Sequence, residues 1–256
     1  MVPIAMALFL SGVILVGTVA SVEIGYRWGR RDTIRNAALS HEGVTSVEAS
    51  AYALLGLLLA FSFAGATNRL ENKRHLIVDE ANAIGTAYLR LDLLPVETQP
   101  PLRAQFKRMV DARIAAHEHR SDQAQADRDL AEMSRAQEQI WSMTVAATNG
   151  AAPASILVIP PMNQMIDLAA ARRVALLTHL PPLIVGLLIG ASILSGLLAG
   201  YAMSKRLSRS WFHIVAYALL LALTVYTVLD LDQARFGLIN IDASYRPLME
   251  LRNTIK

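Results

Sequence analysis

Four stretches of about twenty residues or more, each free of Asp, Glu, Lys and Arg, constrain this chain more than any other feature. They are residues 3–22 (PIAMALFLSGVILVGTVASV), 49–67 (ASAYALLGLLLAFSFAGAT), Val174 to Ser204, and 210–229. At about 1.5 Å of rise per residue, each can cross a hydrocarbon core of about 30 Å. Lipid offers the backbone no hydrogen-bond partners, so such segments must fold as helices that satisfy themselves. The expected architecture is therefore an all-α membrane protein: four transmembrane helices, with a helical extramembrane domain between spans two and three. The boundaries read as a hairpin over 1–67 (spans about 3–22 and 47–67), a helical domain over 68–173, and a second hairpin over 174–230 (spans about 177–204 and 210–229). A C-terminal segment, 231–256, is expected to dock on the helical domain.

The first span has a competing reading as a cleaved signal peptide, since Thr18-Val19-Ala20 offers small residues. No Lys or Arg precedes the apolar run, however, and a signal needs that charge. Tyr26 and Trp28 follow at the position where amphipathic aromatics meet headgroups. In the third run, Pro181-Pro182 removes two backbone donors and should either kink the helix or mark its entry into the membrane. Gly186 and Gly190, and again Gly196 and Gly200, have the spacing that lets a second helix approach closely, and are read as helix-packing positions.

Residues 54% hydrophobic overall, with a mean hydropathy of +0.36, are thus concentrated in blocks. The chain has no cysteine, which removes disulfides, thiol catalysis and thiolate-held metals. A net charge of +3 without a dense cationic run argues against nucleic acid as a partner. The bilayer is the partner that the apolar blocks imply, inorganic ions enter only with the vestibule and pore readings below, and no cofactor is implied. Orientation cannot be read from charge. The short-loop side carries Arg27, Arg30, Arg31, Arg35, Lys205, Arg206 and Arg209. The other side carries Arg69, Lys73, Arg74, Arg172, Arg173, Arg235 and Arg246, an equal seven.

Between the hairpins the pattern is helical. Ile77, Ala81, Ile84, Tyr88 and Leu91 step by fours and threes, which predicts that the second membrane helix continues unbroken to about Asp92. Pro95, Pro100 and Pro101 end it, and Pro101 is placed to start the next helix, with Leu102, Phe106 and Met109 on one face. A charged stretch follows, then Ile140, Trp141, Met143 and Val145, and a turn signal at Asn149-Gly150. Residues 154–159 read as a short apolar run stopping at Pro160-Pro161, with a final helix from about Met162. The tail is too apolar for plain disorder.

No convergent catalytic constellation is present. Asp79 and Glu80 are adjacent and point about 100° apart on a helix, His117 and His119 also diverge, and no nucleophile elbow, phosphate loop or zinc motif occurs. The chain is not expected to be an enzyme. The polar cluster Asp79, Glu80, Asn82 and Thr86 either hydrogen-bonds neighbouring helices or lines an ion vestibule. Ser50, Ala53, Leu57, Phe61 and Gly65 form a stripe on the second span, which either packs and faces lipid or, repeated around an axis, makes an apolar pore constriction. His179 and His213 read as interfacial. Asp230 and Asp232 fall short of a calcium donor set and read as caps or solvated acids.

The run LLGLLLAFSFAGATNRLENKRHLIVDEANAIGTAYLRLDLLP (54–95) resembles the signature of a bacterial membrane family described as bestrophin-like, and LDLDQARFGLI (229–239) is similar to that family's second block. The resemblance implies a homopentameric channel, mostly for anions, with four spans per subunit and both termini in the cytoplasm. It implies that the second helix lines the pore, with Leu57, Phe61 and Gly65 in its hydrophobic neck, and that 68–173 is cytoplasmic. The acidic calcium clasp of animal bestrophins is missing here, and Asp79 and Glu80 would favour cations. The expected function is an oligomeric, anion-conducting channel of a bacterial inner membrane. The alternative is a non-conducting scaffold or signalling subunit whose helical domain binds a cytoplasmic partner.

Overall fold

The computed structural model describes residues 2–35, 42–149, 152–204, 210–233 and 236–255. The loop cations Lys205, Arg206 and Arg209, the tail Arg235, and Gly150 of the expected turn lie outside the described residues. Among the described residues the secondary structure is entirely helical: α1 (Val2–Arg35), α2 (Glu42–Leu89), α3 (Gln99–Glu118), α4 (Gln123–Thr148), α5 (Ala152–Leu177), α6 (Pro182–Met203), α7 (Trp211–Asp232) and α8 (Arg246–Thr254), with short 3-10 turns at 90–93, 96–98 and 242–245. Four helical stretches, within Ile4–Asp32, Ser46–Leu93, Pro153–Met203 and Trp211–Asp232, are long and apolar enough to cross a membrane. The chain divides into two compact units: residues 1–69 with 179–239, and residues 70–178 with 240–256.

In the first unit, α1, α2 and α7 share a core of Ala7, Ile14, Leu55, Leu221, Ala222, Val225 and Leu229, against which Val185, Ile189 and Ala191 of α6 pack partly buried. α1 passes through the polar boundary after residue 22 because nothing there breaks a helix; Glu23 and Arg27 pair one turn apart at 2.6 Å. The packing of α1 against α6 is a reciprocal small-residue contact. A Cβ on Gly200 would land on the Val22 carbonyl oxygen, and one on Gly25 would land on the Leu197 carbonyl oxygen. Gly196 meets Thr18 and Ser21, and Gly29 meets Ser204. Without a hydrophobic driving force between spans, close backbone approach of this kind supplies the contact. Gly186 and Gly190 have nothing within 4 Å of an added Cβ, so the spacing that marks packing at 196 and 200 marks none within this chain at 186 and 190. Gly25 and Gly29, the partners on α1, carry the same four-residue spacing and escaped the sequence reading. Pro181-Pro182 marks the start of a helix and not a kink within one. α5 stops at Leu177, and α6 starts with Pro182 in the first helical turn, where a missing N–H costs nothing.

In the second unit, Ile77, Ala81, Ile84, Tyr88 and Leu91 are all buried, and Tyr88 meets Phe106 of α3 edge-on at 5.7 Å. Asp122 caps α4 by accepting from the Gln125 backbone N–H at 3.1 Å. One expectation fails here: Pro160-Pro161 does not end a run. α5 is continuous through both prolines. Pro161 has no N–H to offer the Leu157 carbonyl one turn back, and the Arg90 guanidinium donates to that carbonyl at 3.1 Å instead. A side chain distant in sequence thus covers one of the backbone acceptors the prolines leave open.

Candidate functional site: a stripe and a groove on one helix

α2 carries the candidate residues because a single helix of 48 residues spans both units. In its membrane portion one side is buried by neighbours, at Leu55, Ser62 and Ala66. Ser50, Ala53, Leu57 and Phe61 lie on the open side, with Leu57 51% and Phe61 68% exposed, while Gly65 is half-buried. An open apolar stripe in a single chain faces lipid, another subunit or a pore.

Further along α2 the polar cluster divides. Asp79, Asn82 and Thr86 are exposed and line a groove of about 340 Å³ with Ala83, and with Gln164 and Leu168 of α5. The spacing of three and four puts the first three on one face. Gln164 and Leu168, again four apart, add a facing wall that no local pattern around Asp79 could disclose. The groove offers one carboxylate, two amides and a hydroxyl.

Glu80 belongs to another face and other chemistry. Its carboxylate is 2% exposed and pairs with two buried guanidiniums, Arg113 Nε at 3.2 Å and Arg172 Nε at 2.8 Å. Arg113 also donates to the Tyr245 hydroxyl at 3.0 Å. Burial by itself disfavours the Arg113 cation, but the Glu80 carboxylate and Tyr245 more than offset it, and its pKa is held above the usual guanidinium value. The Tyr245 ring stacks on His117 with centroids 3.5 Å apart, and the His117 Nε2 and Arg120 share Asp242 at 3.1 and 3.2 Å. His119 turns away to Asp129, at 2.7 Å. A carboxylate so held is a structural ion pair and not a group free to meet a passing ion. The two acids differ because α3, α5 and the tail close over one side of α2; adjacency in sequence showed only that they diverge.

The remaining acids are also taken up. The Asp230 carboxylate accepts the backbone N–H groups of Leu238 at 2.9 Å and Ile239 at 3.0 Å, folding the chain back over the end of α7. Asp232 accepts from the Arg69 Nε at 3.0 Å and from the Leu180 N–H at 3.0 Å, and lies 3.3 Å from the His179 Nδ1. It ties the last turn of α7 to the start of the third span and to α2. His213 hydrogen-bonds Ser210 at the start of α7.

A family model described as Bestrophin-like domain matches residues 12–244. No curated protein and no solved structure matches the chain.

Proposed function

We propose that this chain, which belongs to the bestrophin-like family, is the subunit of an ion channel in a bacterial inner membrane. Several copies surround an axis, five by the family resemblance, and α2 of each lines the pore. The observation that carries the reading is the open stripe of Ser50, Ala53, Leu57 and Phe61 on a helix whose other side is packed. Repeated around an axis, Leu57 and Phe61 form an apolar ring, the kind of constriction that gates by dewetting. The groove of Asp79, Asn82, Thr86 and Gln164 serves as the vestibule on the same helix. The termini and the helical unit are cytoplasmic.

Anion conduction follows the family. Glu80 does not oppose it, because Arg113 and Arg172 neutralise that carboxylate. Asp79 does oppose it: five exposed carboxylates would repel anions and concentrate cations. Conduction is not catalysis, and the arrangement needs neither a cofactor nor an enzymatic step.

The test is ion flux through purified protein in liposomes, under separate chloride and potassium gradients. Chloride flux raised by Asp79→Asn is the expected result. Potassium flux abolished by the same change would keep the channel and reverse the selectivity. A well-formed oligomer that passes neither ion would overturn the reading in favour of a scaffold.

A further inference from the structure

The tail beyond residue 240 packs on α3 through α8 within the second unit and touches α2 at two points about three turns apart. The Arg74 guanidinium donates to the Asn240 carbonyl at 2.9 Å. Eleven residues later, just over three full turns and so on the same side of the helix, an added Cβ on Gly85 would sit 3.4 Å from Leu251 of α8. Between these points Tyr245 holds Arg113, which holds Glu80 of α2. The tail is held in the unit by buried Ile241, Tyr245, Leu248 and Ile255, and by the pair of Arg252 with Asp111 of α3 at 2.6 Å.

We propose that the C-terminal segment, residues 240–255, is a clasp that fixes α2 over residues 74–85, and that its release changes the conducting state of the channel. Gly85 is the contact point: a methyl there would just touch Leu251, so any larger side chain must displace it. The second half of the proposal rests on the channel reading above; the first half does not. The vestibule residues Asp79 and Asn82 lie within this stretch and Thr86 directly follows it, so its rigidity sets their spacing around the axis.

Gly85→Leu tests the clasp in the full-length protein by displacing Leu251 while leaving the tail sequence intact. Leucine is a better helix former than glycine, so a purely local effect would slow amide exchange in α2. Release of the clasp would instead speed exchange over residues 74–89 by about tenfold. Adding Leu251→Ala to make room should return the rate toward that of the unchanged protein. Where Gly85→Leu does not yield folded protein, Tyr245→Phe removes only the hydroxyl that Arg113 donates to, and should speed exchange in the same direction. Unchanged or slower exchange in the variants overturns the clasp. Faster exchange with unaltered flux through a conducting channel overturns its control of conduction. Absence of flux in the unchanged protein overturns the channel reading, while exchange still decides the clasp.

Discussion

Replacing Glu80 by glutamine is the sharpest probe of what holds the helical unit together. The change keeps shape and volume and removes one charge. It leaves Arg113 and Arg172, 3% and 5% exposed at their side chains, with no carboxylate at 3.2 and 2.8 Å. Breaking a buried ion pair from one side costs about 3–5 kcal/mol, because the surviving charge is uncompensated. Here two cations survive, while the glutamine carbonyl still accepts one hydrogen bond, so about 4 kcal/mol is expected. The neighbouring change Asp79→Asn is the control: its exposed carboxylate should matter by less than about 0.5 kcal/mol. The assay is urea unfolding in mild detergent, followed by fluorescence of Trp141, which lies on α4 in this unit, with Trp28 and Trp211 replaced by phenylalanine. Adding Arg172→Met to Glu80→Gln removes one of the two stranded cations and should recover at least about 1 kcal/mol. Equal losses for Glu80→Gln and Asp79→Asn would refute the reasoning, as would a double variant less stable than either single one.

Gly200→Leu should separate α1 from α6 and lower the yield of folded protein in detergent, whereas Gly190→Ala, with open space around it, should be neutral or stabilising by up to about 1 kcal/mol; thermal unfolding compares the two. Arg90→Met opens the exposed Leu157 carbonyl to water and should cost less than about 1 kcal/mol, with faster amide exchange around Pro160-Pro161. Asp230→Ala removes the acceptor for two backbone N–H groups and should free residues 236–239 to proteolysis without altering the helical unit. Phe61→Ala should widen the apolar ring and raise basal flux in liposomes; unchanged flux would place Phe61 against lipid.

Much of the fold was legible because a bilayer imposes length and polarity limits that act on local sequence. The four apolar helices, the seam from Ile77 to Leu91 and the helix start at the paired prolines of α3 all follow from spacing and from one missing N–H. The family, too, was legible from two contiguous blocks of residues. Tertiary structure decided what local rules leave degenerate. Two glycine pairs with identical spacing behave oppositely because only Gly196 and Gly200 face α1. Pro160-Pro161 sits inside a continuous helix, and a carbonyl that Pro161 leaves open takes its hydrogen bond from Arg90, 67 residues earlier in the chain. Asp79 and Glu80, alike in local environment, become an exposed groove residue and a buried ion-pair partner because α3, α5 and the tail cover only one side of α2. A side chain's charge and helical position are local properties; its solvation and its partners belong to whichever distant segments close over it.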